Sequence, residues 1–280
     1  MGHSNSTLQF HELSAAGIEK EIPRIIRISY ESRWSAFASL SGMELFLDGP
    51  NGEPMYALDF DKGLSGDIIL HSGPSVDSPK LAVSGRESRF DNDYLVRLPS
   101  LSGNAPQEVI LYCDTGLKTL FWFDIQVGHG PDQRVEGFEW RRSRGAEVKS
   151  VGQSRSGGYK LVRLSSTNTK EKCSSSEEDL HDGSTKGQGY SSDGKEIVAV
   201  WANTSRLTSL SGVGEFHFRG SGATGELGQL WALMAVMSCM SIWQMDRRTA
   251  AASHAGAAGA AGAAGAVGGG GGGGCGGGGC

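Results

Sequence analysis

Through most of the chain, apolar residues recur in short runs of five to eight positions. These are rich in Ile, Val, Leu, Phe, Tyr and Trp and are broken by Gly, Pro, Asn, Asp or Ser. That pattern predicts strands and turns. The first run is IPRIIRIS (22–29), with Pro23 at its edge. MELFLD (43–48) and PMYALDF (54–60) flank Gly49-Pro50-Asn51-Gly52 and read as a β-hairpin. Further strands are expected at 67–71, 80–83, 94–98, 108–112, 120–127, 137–142, 147–151, 159–164, 195–201 and 214–219. LFWFDIQV (120–127) has the densest β-branched and aromatic content. Residues 165–193 are polar and nearly free of aliphatic side chains, and are expected to form a long surface insertion. Regularly spaced strands without intervening helices point to an antiparallel sandwich or barrel, not to βαβ units.

The pattern changes once, late in the chain. Residues 226–245, ELGQLWALMAVMSCMSIWQM, are apolar on every helical face and are good helix formers. Such a helix belongs in a protein core or a bilayer. Twenty residues would rise about 30 Å, enough to span. Gln229, Ser238, Ser241 and Gln244 interrupt it, and the unbroken apolar stretch is only Leu230–Met237. The favoured expectation is a helix buried inside the β domain. The alternative is a tail anchor formed by 227–245 and flanked by Arg247-Arg248. The segment before the helix, 220–225, is Gly-Ser-Gly-Ala-Thr-Gly and matches GxGxxG between a strand and a helix. It raises a third reading, a nucleotide-dependent enzyme with Asp246 as the ribose carboxylate. No strand is expected after the helix, so the βαβ unit would not close. The bland reading is a flexible connector with Ser221 or Thr224 near the helix cap.

Composition adjusts this picture in three places. The organisation expected is a flexible N-terminus (1–21), a β domain with its helix (22–247), and a disordered Ala/Gly tail (248–280) holding many of the 43 glycines. The net charge of −5 argues against a nucleic-acid partner. Five cysteines, none in a CxxC pair, and an N-terminus without signal-peptide character predict an intracellular protein without a disulfide framework.

No catalytic or metal-ligating constellation is visible among the seven histidines and five cysteines, and no cofactor is expected. The region with chemical promise is 134–163, with eight basic residues against three acidic. If its strands pair, Arg141, Arg142, Arg144, Lys149, Arg155 and Lys160 could share a sheet face and attract anionic lipid headgroups. Gly2, followed by Ser6, fits the broad N-myristoylation pattern, and Cys275 and Cys280 are acceptor thiols for acylation in the tail.

The hairpin MELFLDGPNGEPMYALDF, echoed by GFEWRRSRGAEV, resembles the strand, D-x-x-G, strand units of the tubby C-terminal fold. That fold is shared with LURP-one-related and phospholipid-scramblase proteins. The segments KEIVAVW, GEFHFRGSGATGEL and WALMAVMSCMSIWQ also resemble uncharacterised proteins of filamentous fungi. The resemblance covers roughly residues 22–247, and the insertion at 165–193 departs from it. It implies a mainly β (α+β) chain, an antiparallel closed barrel of about twelve strands around one buried C-terminal hydrophobic helix. It also implies a non-enzymatic binding or membrane-tethering module, since tubby domains bind phosphoinositides.

Overall fold

The structure, a computed structural model, describes residues 12–15, 21–30, 43–86, 92–100, 105–116, 118–128, 130–152, 157–164, 189–203 and 212–265, with side chains as far as residue 253. Twelve strands follow in chain order: β1 (Ile25–Tyr30), β2 (Met43–Asp48), β3 (Pro54–Leu64), β4 (Ile68–His71), β5 (Lys80–Arg86), β6 (Tyr94–Leu98), β7 (Gln107–Thr115), β8 (Thr119–Val127), β9 (Arg134–Ser143), β10 (Gly158–Arg163), β11 (Ile197–Asn203) and β12 (Gly212–Phe218). Each pairs antiparallel with its neighbour in sequence, and β1 pairs with β12 to close the barrel. Gly52, at φ +81°, supplies the left-handed residue that the β2–β3 hairpin turn requires.

Alternation along the strands builds the interior. Phe121, Phe123, Ile125 and Val127 of β8 face inward beside Phe138 and Trp140 of β9, while Trp122, Asp124 and Gln126 face out. The lumen is filled by α3 (Gln229–Gly265), whose residues from Trp231 to Gln244 are all buried except the half-buried Ala232. That buried stretch is about 20 Å long. It explains the all-round apolar pattern: a helix walled on every side by sheet has no polar face to spare. Among the described residues, no helix is long and apolar enough to cross a membrane. Residues 227–245 line the barrel axis, so the tail-anchor reading loses its segment.

The polar residues within that helix each meet the barrel wall. Trp140 Nε1 donates to Ser238 Oγ at 2.9 Å, Ser241 Oγ meets Ser84 Oγ at 2.6 Å, and Gln244 Nε2 donates to Gly66 O at 2.9 Å. Most buried polar atoms in folded proteins are paired, and these three pairs tie the helix to the surrounding β domain.

Four expectations are corrected. Residues 147–151 are not a strand but part of α1 (Ala146–Gly152), which lies on the outside of β10 and β11. Val148 and Val151 are three apart, one helical turn, and pack into a satellite cluster with Val162, Ile197 and Val200. The axial helix begins at Gln229, not Glu226, because a four-residue turn of helix, α2 (Gly220–Ala223), precedes it. It continues to Gly265, into residues assigned to a disordered tail. Alanine is the strongest helix former, and extending an existing helix avoids the nucleation penalty. Finally, part of the N-terminal segment expected to be loose lies on the barrel: Leu13 packs against Ile69, Val83 and Leu95, and Ser14 N donates to Lys80 O at 2.8 Å. Most of the 165–193 insertion lies outside the described residues. Its last residues return through an antiparallel bridge of Tyr190 to Glu196.

Candidate functional site

The helix enters the barrel beside the start of β9, here the proximal end, and leaves beside the end of β9, the distal end. The basic residues of 134–163 divide between these two ends and the outer wall.

On the outer wall the expected headgroup face is covered. Arg141 donates to Glu139 at 2.9 Å and to Asp193 at 3.0 Å, and its side chain is only 13% exposed. Lys160 is buried and sits 3.3 Å from Glu147 of α1. Burial pushes the carboxyls of Asp193 and Glu147 up, but hydrogen bonds outweigh it. Those from Ser191, Arg141 and Lys195 hold Asp193 down at about 2, and those centred on Ser143 and Lys160 hold Glu147 below its usual range. The local basic excess of the sequence is therefore offset by acidic residues from elsewhere in the chain. Of the six expected headgroup contacts, Arg142, Arg144 and Lys149 are exposed, Arg141 and Lys160 are not, and Arg155 lies outside the described residues.

The proximal end is closed by a charge network that no local pattern announces. Arg163 donates to Glu136 at 2.8 Å, to Glu196 at 3.2 Å, to Glu226 at 3.2 Å and to Ser221 Oγ at 3.1 Å. Arg134 adds contacts to Glu136 and Glu226. Burial raises the Glu136 carboxyl, but the two arginines overcome it and hold the group below the ordinary carboxylate range.

The glycine-rich turn is part of this closure. Ser221 N and Oγ both donate to the Glu196 carboxylate, at 2.7 and 2.9 Å. The backbone N–H that a dinucleotide loop would offer to phosphate is taken by an acid of the same chain. The glycines are explained by packing: a Cβ at Gly222 would lie 2.4 Å from Val198 O and 2.6 Å from the Trp231 ring, and Gly220 has φ +47°. Asp246, the carboxylate considered for a ribose, stands at the other end of the barrel and accepts from Tyr159 Oη at 3.0 Å. The GxGxxG segment is thus a structural turn.

At the distal end, Arg142 lies close enough to Asp246 and Tyr159 to act on both electrostatically, while burial is the main influence and raises both groups. Arg247 stacks over the Trp243 ring at 5.3 Å. Arg248 approaches the Tyr94 hydroxyl beside Arg86. Arg144 follows at the turn into α1.

Nucleophile chemistry finds little support in the described thiols. Burial raises Cys239 far above its ordinary value and pushes Cys113 up to about 12, so neither is a thiolate at neutral pH. His71 is buried with Nδ1 2.7 Å from Ser78 O, and burial lowers the His217 pKa even though its ring donates a hydrogen bond to the Glu215 carboxylate. Among the described residues, no group of three His, Cys, Asp or Glu side chains is placed to hold a metal. Gly2, Cys275 and Cys280 lie outside the described residues. No family model, curated protein or solved structure matches this chain.

Proposed function

We propose that the chain is a non-enzymatic binding or tethering module of the tubby/LURP-one type, and that the distal rim of its barrel meets anionic phospholipid headgroups. The closed twelve-stranded barrel with an axial helix agrees with the architecture that the resemblance implies. The observation that carries the reading is the gathering of Arg142, Arg144, Arg247 and Arg248 at one end of the barrel. The carboxylates nearby are held by their own chain: Asp93 accepts from Cys113 N, Asp114 from Gly116 N and Asp246 from Tyr159. A basic side chain near an anionic leaflet is worth about 1 kcal/mol, so several arginines on one rim give reversible, salt-sensitive attachment. A lumen filled by α3 also favours action at the surface over chemistry inside.

Co-sedimentation of the full chain with phosphatidylcholine vesicles, with and without phosphatidylserine, tests this. Binding is expected only to the anionic vesicles, at low salt and not at high salt. The Arg142→Gln/Arg144→Gln variant should bind at least about tenfold more weakly, with a melting temperature close to that of the parent, because both side chains are exposed. Absence of binding at low salt would refute the membrane reading.

A further inference from the structure

Strands whose outer face meets water place polar residues there, and across β4 to β7 this chain does not. Ile68, Leu70, Ala82, Val96 and Leu111 belong to the lumen core. The residues that alternate with them, Ile69, Val83, Leu95 and Ile110, face outward, and all four are apolar. Register sets them side by side. Ile69 stands opposite Val83, Leu95 stands opposite Ile110, and Leu95 lies diagonal to Val83. Asp59, opposite Ile69, and the Arg97–Glu108 ion pair border this apolar stripe.

Although they face outward, Ile69, Val83 and Leu95 are buried, so the stripe is covered, and Leu13 is part of the cover. The segment around Leu13 is also tied by its backbone. Ser14 N donates to Lys80 O at 2.8 Å, beside the shift in β4–β5 register that gives β5 one extra residue. The attachment is light. Leu13 and Ser14 are half-buried, while Glu12 and Ala15 are exposed. The barrel closes through β1 and β12 without this segment, and the cluster under Leu13 is separate from the lumen core. Undocking residues 12–15 would therefore leave the main core and every strand pairing in place.

We propose that the outward stripe of β4 to β7 is a docking groove for a short, leucine-anchored peptide segment, occupied here by the chain's own residues 12–15 as a strap that leaves without opening the barrel. Leu13 supplies the apolar anchor and Ser14 the main-chain hydrogen bond. Ordering a short segment costs backbone entropy at each residue, and the light attachment offsets that cost only narrowly, so the strap opens far more often than the barrel unfolds. The groove does not rest on the membrane reading, which concerns the distal rim.

The test uses the full chain in two arms. Hydrogen exchange resolved to single amides reads the strap in place. The Ser14 amide should be slowed at least about tenfold relative to a free peptide, yet exchange much faster than the paired amides of β5 and β6. In Leu13→Asp the Ser14 protection should vanish while that of β5 and β6 remains. The second arm reads the groove, by fluorescence anisotropy of a labelled peptide of residues 8–18. A short tether gives an effective concentration of about millimolar, so a strap docked about nine-tenths of the time implies a Kd near a tenth of that for the free peptide. The Leu13→Asp chain, its groove vacated, should bind the peptide with that affinity. The parent should bind it about tenfold more weakly, because its own strap competes. The same peptide carrying Leu13→Asp should not bind. The proposal is overturned if Ser14 is unprotected in the parent, or if it exchanges only together with β5 and β6. It is overturned equally if Leu13→Asp strips protection from those strands, or if the Leu13→Asp chain binds the peptide no better than the parent.

Discussion

At the proximal end of the barrel, Arg163 draws Glu136, Glu196, Glu226 and Ser221 together, so that β9, β10, the start of β11 and the approach to α3 share one network. At the distal end, Asp246 makes one hydrogen bond to Tyr159, and arginines stand around the rim and beside a cavity. The same residue types serve opposite purposes. Where acids and arginines are matched and partly buried, ionisation holds the chain closed. Where arginines gather around the distal rim, the role proposed for them is to meet an anionic ligand. The net charge of −5 hides this division, because the acidic side chains are not distributed like the basic ones.

The comparison breaks most visibly if the proximal network is cut. Arg163→Met should destabilise the fold by about 3 kcal/mol, since it leaves Glu136 buried beside an apolar group with only Arg134 to answer it. Urea unfolding of the full chain measures this, and a loss below about 0.5 kcal/mol would mean that the network is surface decoration.

Acid should separate the ends more gently. Glu136 has a lowered folded pKa, so its contribution to stability is present above the ordinary value of 4.5 and is lost as pH falls through the lower folded value. Asp193, held at about 2 against 3.8, behaves alike between those two values. Asp246 has the opposite sign: its raised folded pKa means that ionisation works against folding once pH rises above 3.8. Melting curves from pH 7 down to about 2 should show declining stability in the parent. Asp246→Asn, which keeps an acceptor for Tyr159, should melt slightly higher than the parent near neutral pH. Equal or lower melting would reverse the sign assigned to Asp246.

The strands were legible because their pattern is local. Residues such as Phe121, Phe123 and Ile125 alternate with outward partners, and turn residues punctuate each run. The buried helix was legible for the same reason, from an apolar stretch with no polar face. Helix α1 was misread because Glu147, Val148 and Lys149 alternate like a strand, while the stronger signal was the three-residue spacing of Val148 and Val151. The site was harder to read. Counting charge within 134–163 made a basic face, but Asp193, Glu196 and Glu226, which answer Arg141 and Arg163, lie outside that window. The GxGxxG match was misleading because Glu196, twenty-five residues from Ser221, occupies the turn. Pairings of that range depend on barrel closure, and no periodicity within a short segment carries them. The distal cavity likewise joins Arg86 to Arg248 only once α3 has passed through the lumen.

All of this depends on α3 as the axis of a closed barrel, fixed in place by Ser238, Ser241 and Gln244. Hydrogen exchange of the full chain, read by mass spectrometry on peptides from α3, addresses that directly. Amides from Trp231 to Gln244 should exchange only through global unfolding, with the slowest rates in the molecule, while those of residues 248–265, outside the barrel, should exchange orders of magnitude faster. Uniform fast exchange across both halves of the helix would contradict the account.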